Sequence, residues 1–113
     1  MEEINQRLAI FLQSGIISEE DAEFLKEWNE RLIEEGYDDR DKICRLLTHL
    51  VMMLKRKRDN EMIESMSYHL ADELKGSANY NEACCYLKLF EDRYEIEENE
   101  RNYIILHLLN LMR

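Results

Sequence analysis

Apolar residues recur at helical spacing along almost the whole chain. Ile4, Leu8 and Phe11 form one stripe and Leu25, Trp28 and Leu32 a second. Ile43, Leu47, Leu50 and Leu54 form a third, flanked by Leu46 and Val51. Met62, Met66, Leu70 and Leu74 make a fourth, and Ala83, Leu87, Phe90 and Tyr94 a fifth. Spacings of three and four put such residues on one face of an α-helix, whereas the alternation expected of strands is nearly absent. No proline breaks these runs. The three glycines, Gly15, Gly36 and Gly76, each follow a stripe, where a chain leaving a helix favours them.

Polar residues mark the helix starts. Ser18 precedes Glu19-Glu20-Asp21, an N-terminal signal: a hydroxyl to accept from a free backbone N–H, and acids at the positive end of the dipole. Asp38 or Asp39 can cap the third helix, and Ser77 or Asn79 can open the fifth. Glu95-Ile96-Glu97-Glu98 breaks the period, and a last helix is expected from about Asn99 to Met112. There is no repeat, flexible linker or low-complexity tract. The chain of 113 residues reads as one all-α domain, 1–113, a compact five- to six-helix bundle.

The last helix differs from the rest. On a helical wheel Ile104, Ile105, Leu106, Leu108, Leu109, Leu111 and Met112 cover nearly every direction, the pattern of a helix buried on several sides. In so short a chain, one of those sides is expected to meet a second subunit.

Charge narrows the function classes. The net charge is −10, and residues 1–41 alone carry 13 acids against 4 bases. Such a balance argues against direct nucleic-acid binding, which needs many Lys and Arg contacts to phosphate. Lys55-Arg56-Lys57-Arg58 is the local exception. These bases fall in the last turn of the third helix, where cations suit the exposed carbonyls; the functional alternative is an acidic partner or a phosphate. The N-terminus does not read as a secretory leader, and the longest apolar run is about ten residues, half of a membrane span. Cys44, Cys84 and Cys85 form no CxxC pair and read as small core residues of a reducing compartment. The expected location is the cytoplasm, with no membrane association.

Three histidines are the main titratable candidates. His49 lies roughly 130° from the centre of its helix's core stripe, so it is expected to be exposed beside Arg45, Met53 and Arg56. His107 shares a stripe with Glu100, two turns back, and Tyr103, one turn back; either can fix its tautomer. On spacing alone His107 reads better as a satisfied core histidine. His69 has no evident partner and reads as structural.

Conventional catalytic patterns are missing. The residues three before the histidines are Leu46, Met66 and Ile104, so there is no Glu-x-x-His of a di-metal bundle. No zinc spacing, glycine-rich phosphate loop or Gly-x-Ser-x-Gly occurs. The sequence therefore points away from an enzyme, and neither a metal nor a cofactor is expected.

Two segments together resemble a known family. LLTHLVMMLKR, residues 46–56, has His-Leu, an apolar helix and an arginine seven residues after the histidine. YEIEENERNYIILHLLNL, residues 94–111, has an aromatic, an isoleucine, a glutamate, then Tyr and Leu-His-Leu. The histidines are 58 residues apart. These segments resemble the two histidine motifs of the PTS regulation domain, the PRD. The resemblance implies a dimeric helical domain of the sort found in sugar-responsive bacterial antiterminators and activators. It implies histidines that accept phosphoryl groups from the phosphocarrier HPr or an enzyme II component, with dimerisation modulated in response. His49 and His107 are the implied acceptors. Arg45 and Arg56 would hold a phosphate on His49, and Glu100 and Tyr103 would support His107.

The chain also departs from that pattern. Thr48 stands where the family often has an acid, Glu97 where it often has proline, and Lys57-Arg58-Asp59-Asn60 where a glycine is usual. One PRD fills the length, which leaves the downstream target to a separate transcriptional regulator. The competing expectation is a PRD-derived interaction or dimerisation module that docks another regulator without phosphoryl transfer.

Overall fold

The computed structural model describes residues 2–113. Among them lie six α-helices and no strand: α1 (Glu2–Gln13), α2 (Glu19–Glu34), α3 (Arg40–Arg58), α4 (Tyr68–Lys75), α5 (Tyr80–Glu91) and α6 (Glu98–Leu111). The chain is all-α, as the periodicity requires. It divides into two compact units, Met1–Glu61 and Met62–Arg113.

In the first unit, side chains set the helix boundaries. The Ser18 hydroxyl accepts from the Asp21 N–H at 3.1 Å, and the Asp21 carboxylate accepts from the Ser18 N–H at 3.3 Å. This reciprocal pair satisfies two donors that would otherwise have no helical partner. Asp39, rather than Asp38, caps α3 by accepting from the Lys42 N–H at 3.2 Å. Gly15 (φ 73°) and Gly36 (φ 100°) take the left-handed conformation that ends α1 and α2. Non-glycine Asn60 does the same after α3 at φ 56°.

The three helices pack pairwise. Ile4 and Leu8 of α1 are buried, as are Leu25, Trp28 and Leu32 of α2. Helix α3 buries Ile43, Cys44, Leu46, Leu47, Leu50, Val51, Met53 and Leu54. At 100° per residue these span roughly 180° of the wheel, from Met53 round to Cys44. Each fully buried leucine or isoleucine contributes roughly 1.5–3 kcal/mol over exposure. One polar residue joins this core. Asn29 is fully buried; its Nδ2 donates to the Leu25 carbonyl at 2.7 Å, and its Oδ1 accepts no hydrogen bond among the described residues. Arg58 Nη1 donates to the Gly15 carbonyl at 2.9 Å, joining the end of α3 to the α1–α2 turn.

The second unit begins with an irregular segment. The stripe from Met62 to Leu74 is not one helix: residues 61–67 have no regular structure, and α4 starts only after Ser67, whose hydroxyl accepts from the Leu70 N–H. Met62 is 71% exposed, so the apolar spacing there has no buried face behind it. Leu74 is the buried residue of α4. Helices α5 and α6 form an antiparallel pair. Asn79, at the start of α5, donates to the Met112 carbonyl at 3.4 Å, and Glu91, at its end, pairs with Arg101 at 3.0 Å. Asn79 occupies the N-cap of α5 without a side-chain capping bond. Tyr94 lies beyond α5 and is half-buried, its ring 4.9 Å from that of Phe90. No helix among the described residues is long and apolar enough to cross a membrane.

Burial along α6 is as broad as its apolarity. No residue from Asn102 to Met112 is fully exposed. Ile104, Ile105, Leu108, Leu109 and Leu111 are buried, and Leu106 is half-buried. Within its unit α6 packs against α4 and α5.

Candidate functional site

His49 and His107 sit in helices whose buried faces are equally wide. On α3, His49 lies roughly 40° outside Met53, the edge of the buried arc. On α6 the buried residues run from Glu100 round to Leu109, again roughly 180°, and His107 lies roughly 20° outside Glu100. Both histidines are half-buried. Each therefore stands at the rim of a core face, neither enclosed like Leu50 and Leu108 nor exposed like His69.

This placement corrects the sequence expectation for His49. It is half-buried rather than exposed, and Met53, expected beside it at the surface, is 2% exposed. The cause is the width of the α3 core face. A stripe of four residues suggests a narrow seam, but Cys44, Leu46, Val51 and Met53 widen it to half the helix. His49 Nε2 is closed to solvent, with under 1 Å² accessible. Arg45 and Arg56 do share the His49 side of α3, one turn before it and two turns after it; Arg45 is exposed and Arg56 half-buried.

Around His107 the expected grouping is present on one helix face. Glu100, Tyr103 and His107 lie within roughly 60° of arc. Glu100 is 7% exposed, an uncommon position for a carboxylate. It lies in the first turn of α6, where backbone N–H groups and the helix dipole favour negative charge. Tyr103 is half-buried. A carboxylate, a phenol and an imidazole in this order can hold a histidine in one orientation.

Two cations of the basic run at the end of α3, Lys55 and Arg58, are engaged within their own unit. Lys55 Nζ pairs with Asp59 at 3.2 Å, and Arg58 Nε reaches the same carboxylate at 3.3 Å. These bonds hold the Asp59 carboxyl below its ordinary value of 3.8, that from Lys55 first and that from Arg58 second. Arg58 also serves the α1–α2 turn, as described above. The cations at 55 and 58 thus have local anionic and carbonyl partners instead of an open anion site.

The cysteines differ from the expectation of three core residues. Cys44 is buried, Cys84 half-buried and Cys85 exposed. Tyr80, one turn before Cys84, hydrogen-bonds to it and was not singled out from the sequence; the i, i+4 spacing on α5 was the available signal. His69 is exposed, with its ring edge-on to Tyr68 at 6.4 Å. No group of three or more His, Cys, Asp or Glu side chains among the described residues is arranged to hold a metal ion.

Comparison with protein-family models, curated proteins and solved structures finds no match.

Proposed function

We propose that this chain is a non-enzymatic regulatory module of the PRD kind, with His107 and His49 as acceptors of phosphoryl groups from HPr or an enzyme II component in the cytoplasm. The observation that carries the reading is the rim position shared by both histidines. A group-transfer histidine must be oriented by its neighbours yet remain within reach of a donor, and a half-buried site beside a core face meets both needs. On α6, Glu100 and Tyr103 supply the orientation. Added phosphate brings roughly −1.5 to −2 charges, which are costly beside apolar α6. A homodimer held near this helix would loosen in response. On α3, Arg45 and Arg56 would instead hold the phosphate.

A second reading has specific support. The enclosure of His49 Nε2 and the engagement of Lys55 and Arg58 with Asp59 favour a docking or dimerisation module without phosphoryl transfer. Under the first reading a donor reaches His49 at its other nitrogen, or after local opening.

One experiment separates the two. The chain is incubated with enzyme I, HPr and phosphoenolpyruvate, with and without enzyme II components, and analysed by mass spectrometry under alkaline conditions. The regulatory reading expects an acid-labile phosphate that is lost in His107→Ala or His49→Ala, and a change in sedimentation on phosphorylation. Absence of phosphate on both histidines with every donor would leave the docking module.

A further inference from the structure

The segment between α3 and α4 is unlike the other connections. Residues 61–67, Glu-Met-Ile-Glu-Ser-Met-Ser, form no helix, turn or bend over seven positions, whereas the comparable runs at 37–39 and 95–97 are three residues each. A chain without a turn or bend over that length runs extended. Both ends are anchored: the Glu61 N–H donates to the Arg56 carbonyl at 2.8 Å, and the Ser67 carbonyl accepts from the Ala71 N–H at 3.0 Å. Between them, no backbone N–H or C=O from Met62 to Met66 is bonded to another backbone group among the described residues. The middle is tied by one exposed side-chain contact, from Asn99 Nδ2 to Ser65 Oγ at 3.2 Å.

An extended strand with open backbone groups is what a peptidase cleft binds, by pairing with the N–H and C=O of its substrate. A helix cannot offer these groups, because its own hydrogen bonds use them. Glu20, Glu23, Glu27 and Glu34 are exposed but lie in α2, whereas Glu64 is exposed in the open segment. Glu64 is followed by Ser65, small and exposed. Neighbouring bonds fit less well. The Glu61 N–H is already engaged, and the bond after Met62 leads to the half-buried, β-branched Ile63.

We propose that the Glu64–Ser65 bond is a processing site for an endopeptidase whose specificity pocket takes an acidic side chain. The step is a hydrolysis. The C–N bond breaks, the oxygen of one water joins the Glu64 carbonyl carbon, and a hydrogen passes to the Ser65 nitrogen, leaving a carboxylate and an amine. No helix is cut. Residues 1–64 keep α1, α2 and α3 with His49, and residues 65–113 keep α4, α5 and α6 with His107. Cleavage thus ends the covalent connection between the two histidines, whether or not either is phosphorylated.

The test is limited proteolysis of the full chain under native conditions with a glutamyl endopeptidase, read by intact mass over time. The first products expected are 1–64 and 65–113, formed before any cut at the exposed glutamates of α2. Glu64→Gln, a change outside every helix, should abolish that cut. Subtilisin, which needs no glutamate, should still open the Glu64→Gln chain first within 62–67. A first cut by glutamyl endopeptidase at any other bond, its persistence in Glu64→Gln, or a first subtilisin cut outside 62–67 would overturn the proposal.

Discussion

The two units contain three helices each, yet they are specified differently. In residues 1–61 the caps of α2 and α3 are side-chain hydrogen bonds, and glycines at positive φ end α1 and α2. In residues 62–113 only α4 has a side-chain cap; α5 and α6 start at Asn79 and Glu97 without one. The burial differs as well. Helix α3 buries eight residues, whereas α4 buries Leu74 alone. The first unit is thus fixed by local chemistry and a wide core face together. The second relies on the packing of α6 against α4 and α5.

The largest expected effect tests that contrast directly. Leu50 is fully buried in the wide core face of α3, and Leu50→Ala should cost about 2–5 kcal/mol through lost transfer energy and the cavity left behind. Leu74→Ala should fall at or below the low end of that range, because α4 is eight residues long and the segment before it can shift to fill the space. Urea midpoints of the two variants, read by circular dichroism, give the comparison. Equal losses would mean that α4 is held as firmly as α3, and the contrast between the units would fail.

Capping gives the next effect in size. Ser18→Ala removes the hydroxyl of a reciprocal pair and should cost about 1 kcal/mol. Asn79→Ala removes no capping bond, only a long contact to the Met112 carbonyl, and should stay within about 0.5 kcal/mol. Thermal melts of both variants at one pH measure the difference. If Asn79→Ala proved the costlier, the antiparallel α5–α6 pair would depend on that contact more than its length suggests.

The same contrast explains what could be read from the chain. Ser18, Asp39 and the glycines at 15 and 36 announce their boundaries because the capping residues act within three or four positions. The all-α class and the stripes of α1, α2 and α3 follow from spacing alone. The Met62 and Met66 stripe misleads because periodicity reports what a helix would bury, not whether anything packs against it. His49 was misplaced for a related reason: a wheel centred on four residues cannot reveal that Cys44, Leu46, Val51 and Met53 extend the buried face to half the helix. Grouping of Glu100, Tyr103 and His107 on one face was legible, since it needs only an intact helix. Their depth was not, because it depends on neighbours distant in sequence.

Asp59 offers the smallest effect and a distinctive one, because its sign depends on pH. In the unfolded chain its carboxyl titrates near 3.8; in the folded chain hydrogen bonds from Lys55 and Arg58 lower that value. The folded state therefore holds the proton less tightly. Its stabilisation is complete above about 3.8 and is lost as the pH falls through the lowered folded value. Asp59→Asn should lower the urea midpoint slightly near neutral pH, and the difference from the parent chain should shrink to nothing on strong acidification. The carboxylate is open to solvent, so added salt should shrink the difference as well. A gap that widened as the pH fell would mean that Asp59 is worth more protonated than charged. The end of α3 would then be held to the α1–α2 turn by Arg58 alone, without the carboxylate that orients it.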